Sequence, residues 1–258
     1  MTGDLVKLPK PNAIFFDLDD TLLSAYRNPR KTWSEIIAEH TDALGPHDSR
    51  WVTAEVLDRV IAFLADEEGR KLWRLEGDAT RRKVVRSAFH RLNLERPKGT
   101  EALHGVDADR IADRFESWIE QKIALKSGVH ALLVGLKGAG LRLGLITNGS
   151  SLRQRAKIAR FDLEDYFDSI RIEEEFGCGK PDRAVYLAAL GDLGVSPRQA
   201  WMVGDDPLWD VAAPAALGVT AIHYCEDPRS ASPPEAAARI SQAAALVPLV
   251  AQALAPVP

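Results

Sequence analysis

The chain has 258 residues and a formal net charge of −4, with ordinary apolar and charged fractions. That length suits one large domain or a domain with an insertion, and it allows a full hydrophobic core. The negative balance argues against bulk attraction to nucleic acid or an anionic membrane, and no run of about 20 apolar residues is present to span one.

Taken in chain order, Met1 to Lys10 lacks the apolar stretch of a secretory leader, so the expected location is cytoplasmic. Ile14 to Phe16 reads as a short buried strand that ends abruptly in Asp17, Asp19, Asp20 and Thr21. Carboxylates are costly to bury unless paired or metal-bound, and parallel sheets place ligand sites at the carboxyl ends of their strands. Residues two apart in extended chain project to the same side, with Cα atoms roughly 6–7 Å apart. One of the two carboxylates could then attack a group while the other handles a proton on its far side; the competing reading is an acidic turn closing a strand.

From residue 24 to 125 the apolar residues recur at helical spacing and no strand interrupts them. About four helices are expected, split at Gly45-Pro46, Gly77-Asp78 and Pro97-Lys98-Gly99. Between Arg70 and Arg91 stand eight Lys or Arg against Glu76 and Asp78. Arg74, Arg81, Arg82 and Arg86 either read an anionic substrate or form a solvated face, and the second reading is preferred. Trp33, Phe115 and Trp118 are read as core.

After Gly128 the pattern alternates. A helix over Val129 to Leu136 precedes a strand over Leu141 to Ile146, then Thr147-Asn148-Gly149 and a basic helix over Arg153 to Arg160. Further strands are read at Ser169 to Ile172, Ala200 to Gly204 and Val219 to Tyr224, with helices over Pro181 to Leu193 and Val211 to Leu217 between them. This order predicts an α/β doubly wound parallel sheet. Its core would be residues 1–23 and 126–258, and residues 24–125 would be an inserted helical lid. The tail from Glu226 is rich in Ala and Pro; a turn at Asp227-Pro228-Arg229 and a last helix over Ala243 to Leu254 are expected there.

Four strand ends or nearby loops are polar. Asp17 and Asp19 are the first. Thr147-Asn148-Gly149 offers a hydroxyl and backbone N–H groups suited to phosphate oxygens, or it is simply an N-cap loop with Ser150 or Ser151. Lys180, between Gly179 and Pro181, supplies a point charge for an anion or lies on a solvated surface. Val203-Gly204 runs into Asp205, Asp206 and Asp210. The two cysteines, Cys178 and Cys225, have neither redox-motif nor disulfide-framework spacing, and the six histidines have no zinc-site pattern.

Together these signals resemble the four motifs of the haloacid dehalogenase superfamily. They are Asp17-Leu18-Asp19-Asp20-Thr21, Thr147-Asn148-Gly149, Lys180-Pro181, and Gly204-Asp205 through Asp210. The resemblance covers about residues 11–23 and 126–225, and the helical block matches a helical cap in position and type. It implies a Rossmann-like core and a Mg²⁺-dependent phosphohydrolase acting on a small phosphorylated metabolite. Asp17 would be the nucleophile that becomes an aspartyl-phosphate, and Asp19 the acid and base. Thr147, Asn148 and Gly149 would hold phosphoryl oxygens, and Lys180 would neutralise charge. Asp17, the backbone carbonyl of Asp19, and Asp205 would ligate Mg²⁺. Either Asp206 or Asp210 would support the metal, with Asp210 preferred.

Other chemistries on this fold are weighed on the same residues. Displacing halide needs no proton donor, so Asp19 disfavours a dehalogenase, and Thr21 leans away from a phosphomutase. A phosphonate hydrolase would need a cap lysine such as Lys31, Lys71 or Lys83. A non-enzymatic scaffold is disfavoured because all four chemical positions are occupied.

Overall fold

The computed structural model describes residues 8–24, 28–45 and 47–256. Most of the Met1 to Lys10 stretch, and Pro46 of the Gly45-Pro46 break, lie outside them. The chain divides into two compact units, Met1–Ser24 with Ala124–Pro258, and Ala25–Ile123. Among the described residues no helix is long and apolar enough to cross a membrane.

The first unit is built on a six-stranded sheet. Its strands are β1 (Ala13–Phe16), β4 (Arg142–Thr147), β5 (Ser169–Ile172), β6 (Ala200–Gly204), β7 (Thr220–Tyr224) and β8 (Ala238–Ile240); a separate two-stranded ribbon joins β2 (Leu23–Ser24) to β3 (Ala124–Leu125). The sheet order is β5-β4-β1-β6-β7-β8 and every pairing in it is parallel. The fully buried, near-continuous apolar runs of β1, β6 and β7 are what a sheet covered on both faces requires. Residues two apart share a face: Ala13 and Phe15 pack with Ile146, Val185, Tyr186, Ala189 and Met202 in one core layer.

Helices α6 (Val129–Gly138), α7 (Ser151–Arg160), α8 (Glu173–Phe176), α9 (Arg183–Asp192), α10 (Ala213–Ala216) and α11 (Leu246–Leu254) complete the unit. Three details depart from the sequence reading. The helix expected over Val211 to Leu217 is a π-helical segment, Pro207–Ala212, followed by α10. Pro214 and Pro248, a residue type that helix interiors disfavour, both sit in the first turns of the helices observed, α10 and α11. Strand β8, only three residues long, was not expected in the Ala-rich tail.

The start of α7 is also unexpected. Ser150 caps nothing with its side chain. Instead the acidic turn α8 supplies the acceptors: Gly149 N–H donates to Glu173 Oε2 at 2.9 Å, and Ser151 N–H donates to Glu174 Oε2 at 2.6 Å. Glu175 accepts from Ser151 Oγ at 2.7 Å and from the Arg155 guanidinium at 2.8 and 2.7 Å. Two carboxylates thus satisfy backbone N–H groups at the positive end of the helix from within the chain, and a third holds its first-turn side chains.

The second unit is all helical: α1 (Pro29–Ala38), α2 (Ser49–Phe63), α3 (Glu67–Leu75), α4 (Gly77–Glu95) and α5 (Gly105–Lys122). The sequence suggested about four helices. The extra break falls at Asp66, whose carboxylate caps α3 through Gly69 N–H at 2.7 Å. Trp33, Phe115 and Trp118 are in its apolar core, as expected. The arginines of α4 face acids of α5: Arg82 pairs with Asp113 and Arg86 with Asp109, each through two nitrogens, and buried Arg81 reaches Glu116 at 2.9 Å. Arg81 also lies over the Phe115 and Trp73 rings, at 5.0 and 5.7 Å.

Arg81→Ala removes a desolvated ion pair and its aromatic packing together, and urea unfolding should show a loss of about 3 kcal/mol or more. At α7, the hydrogen bonds from Arg155 hold the Glu175 carboxyl down to about 2, against an ordinary 4.5. A depressed carboxyl stabilises the fold above its ordinary value and loses that contribution as pH falls towards the folded one. Arg155→Met should therefore cost under about 1 kcal/mol at neutral pH, the pair being partly exposed. By about pH 2 the gap to wild type should close, which acid-series unfolding curves would read.

Candidate active site

Parallel strands carry their carboxyl ends to one edge, so Asp17 after β1, Thr147 at the end of β4 and Asp205 after β6 arrive at the same side of the sheet. Strand β1 sits between β4 and β6, which makes Asp17 central. Lys180 is delivered by a loop pinned to β4: the Asn148 amide accepts from Lys180 N–H at 2.8 Å and donates to the Lys180 carbonyl at 2.7 Å. Gly179 makes this approach feasible, because a Cβ there would lie 2.6 Å from Asn148 Oδ1.

Asp210 comes from the π-helical segment. It packs so tightly on Gly204 that a Cβ at that position would lie 2.2 Å from its carboxyl carbon. Asp206 N–H donates to Asp210 Oδ2 at 3.1 Å, and the Asp206 carboxylate caps the segment through Leu208 and Trp209 N–H at 2.8 and 2.7 Å. Of the two acids left open by the sequence, Asp210 stands in the cluster and Asp206 holds the backbone.

The Lys180 ammonium is 2.7 Å from Asp17 Oδ1 and 2.6 Å from Asp210 Oδ1, and all three side chains are buried. Carboxylate oxygens of Asp17, Asp205 and Asp210 come within 4.8 Å of one another. Thr21 donates to Asp205 Oδ1 at 3.3 Å. Burial alone would discharge Lys180, but the Asp17 and Asp210 carboxylates outweigh it and keep the ammonium charged. Burial pushes the Asp17 carboxyl well above its ordinary range, with Lys180 opposing and Asp210 and Asp205 adding to the rise. Burial, and after it Asp210, likewise push Asp205 up to about 7.

With all three acids ionised, one ammonium would leave two negative charges without a counterion among these groups, and that excess adds to the burial that raises the Asp17 and Asp205 carboxyls. Among the described residues, Asp17 Oδ2 is buried and takes no hydrogen bond. Such an all-oxygen donor set with an unsatisfied carboxylate oxygen fits a hard divalent cation.

The structure brings together Asp17, Lys180, Asp205 and Asp210, and it gives three other positions contacts the sequence did not indicate. Asn148 spends its side chain on the Lys180 backbone. Gly149 N–H, expected to face phosphoryl oxygens, is taken by Glu173. Asp19 lies outside the carboxylate cluster: its side chain bonds to Lys157 and Gln154 of α7, and Gln154 also donates to Thr147 Oγ1. Gln154 and Lys157 were missed because α7 reads as a solvated basic helix. Their spacing of three, which puts both on one face, was the available signal.

This geometry accords with what known proteins show. A family model described as haloacid dehalogenase-like hydrolase matches residues 11–218. The phosphoserine phosphatase of Thermus thermophilus is 40% identical over 93 residues, which are 36% of this chain and 37% of that protein. The ribulose-1,5-bisphosphate 5-phosphatase of Halopiger xanaduensis is 26% identical over 82% of this chain and 84% of its own length. A solved 2-haloacid dehalogenase from Pseudomonas syringae superposes with a TM-score of 0.60 at 26% identity, covering 94% of this chain and 99% of that one. The matched segment spans little more than a third of the phosphoserine phosphatase's length. With most of its length matched by the family model and its acids and lysine gathered at one sheet edge, the chain belongs to the haloacid dehalogenase-like hydrolases.

Proposed function

We propose that the protein is a Mg²⁺-dependent phosphatase that frees phosphate from a small phosphorylated metabolite through an aspartyl-phosphate on Asp17. The observation that carries the reading is the Asp17 carboxylate itself. One of its oxygens is held by Lys180, and the other is buried without a hydrogen bond, left for a cation or a phosphorus atom. Similarity to phosphatases acting on phosphoserine and ribulose bisphosphate supports the reaction class.

In this reading Asp17, the Asp19 backbone carbonyl and Asp205 hold the cation, and Asp210 supports it. A bound Mg²⁺ would neutralise charge on the phosphoryl oxygens and on the surrounding carboxylates. Lys180 opposes the burial that favours a protonated Asp17 and orients the carboxylate for attack, and it shares the negative charge that builds as the phosphoryl group arrives. The Thr147 hydroxyl and the backbone around Asn148 orient phosphoryl oxygens. Asp19 gives a proton to the leaving oxygen, then accepts one from the water that hydrolyses the acyl phosphate. Residues 24–125 are, in this reading, an inserted helical cap.

The solved dehalogenase of similar fold raises halide displacement as a second reading. Asp19 argues against it, since halide leaves without a proton.

Turnover of p-nitrophenyl phosphate with and without Mg²⁺ tests the proposal. Wild type should require the metal, and Asp17→Asn should be inactive. Activity surviving in Asp17→Asn would remove the nucleophile from the scheme. Independently of turnover, Mg²⁺ should raise the melting temperature of wild type, because a cation that binds only the folded state stabilises it. Asp205→Asn should abolish most of that shift.

A further inference from the structure

Two buried residues of α7 have no part in the scheme above. Lys157 Nζ donates to both carboxylate oxygens of Asp19, at 2.8 and 2.7 Å, and to Gln154 Oε1 at 2.9 Å. Gln154 Nε2 donates to Asp19 Oδ2 at 3.1 Å and also to Thr147 Oγ1. Both side chains are buried, and they stand three residues apart on one helix face. The Asp19 carboxylate is therefore gripped at both oxygens, and one amide ties it to the hydroxyl at the end of β4.

We propose that Gln154 and Lys157 are positioning residues for proton transfer, fixing where the Asp19 carboxylate stands relative to the phosphoryl group that Thr147 helps to hold. The proposal rests on the phosphatase reading above and deepens it. Asp19 needs this support because of where it stands. Its neighbour Asp20 has φ +61°, and Leu22 and Leu23 N–H both fold back onto the Leu18 carbonyl, so the acid projects from a tight turn rather than from a strand. A side chain on such a turn has rotamers to choose from, whereas proton transfer demands an oxygen within hydrogen-bond reach of the leaving group. A planar amide that touches both acid and hydroxyl sets their separation, and an ammonium spanning both oxygens fixes the plane of the carboxylate.

The chemistry supplies a selective readout. In the first half-reaction the ester P–O bond breaks as the bond to Asp17 oxygen forms; Asp19 enters it protonated on one oxygen, with Lys157 keeping its hydrogen bond to the other, and that proton goes to the departing oxygen. A nitrophenolate is a stable anion and departs without that proton; a benzyl alkoxide needs it. The ratio of kcat/KM for benzyl phosphate to that for p-nitrophenyl phosphate therefore reports the acid, and kcat/KM excludes the later hydrolysis of the acyl phosphate.

Lys157→Met should lower this ratio by about 10²-fold, within the range that general acid catalysis supplies. Lys157→Arg, which can still grip both oxygens, should recover part of it. Asp19→Asn should lower the ratio at least as far, and adding Lys157→Met to Asp19→Asn should lower it no further, because both act through one group. Gln154→Leu provides an arm that keeps the ammonium, and it too should lower the ratio.

An equal loss on both esters, or a further fall in the Asp19→Asn background, would mean that Lys157 and Gln154 only hold the fold, and would overturn the inference while leaving the phosphatase reading intact. Wild type active on the aryl ester alone would overturn it as well, since no acid would then be reaching the leaving oxygen. Wild type inert towards both esters with Mg²⁺ present would overturn the phosphatase reading and this inference with it.

Discussion

A single buried ammonium ties together the carboxylate cluster of the sheet unit. Lys180 reaches one carboxylate that follows the central strand and another in the π-helical segment after β6, so it joins segments far apart in sequence. Neither acid would tolerate its burial as an anion without it, and the lysine would not stay charged without them. The three groups are stable only as a set. Close packing around Gly204 and the backbone hydrogen bond to Asp210 then leave that side chain little choice of position.

Much of this was readable from residue order alone. Continuous apolar runs ending in acids marked β1 and β6, and the alternation of strands with helices fixed a parallel sheet whose functional edge follows from topology. Where the reading fell short, the reasons are physical. Asp206 and Asp210 look alike in sequence, and only the segment geometry makes one a cap and the other a buried partner of lysine. Strand β8 is too short to show a pattern. The break before α3 was signalled by Asp66 followed by Glu67 and Glu68, a helix-start pattern that helical periodicity on both sides concealed. The contacts of α7 were hidden more deeply: lysine and glutamine on a charge-rich helix carry no mark of burial, and their partner lies more than 130 residues away.

Charge is handled differently in the two units. In the helical unit, Arg82 and Arg86 meet Asp113 and Asp109 as successive rungs between antiparallel helices, so the basic stretch of the sequence is answered by acids of the same unit. In the sheet unit, the glutamates of α8 satisfy the start of α7, a place where phosphate often binds in other proteins. In the proposed phosphatase reading, attraction for an anionic substrate then rests on Lys180, on the Thr147 loop, and on the cation the acids would hold.

The paired hydrogen bonds between the Asn148 amide and the Lys180 backbone have one last implication. They splice the loop carrying the lysine to the end of the strand carrying Thr147, so if these two groups contact a ligand as proposed, their spacing is built in before it arrives. An oxyanion meeting them would find a rigid gauge rather than a surface that must rearrange around it. Little of its association energy would be lost to ordering the receptor, and ions of the wrong size would be turned away by dimension alone.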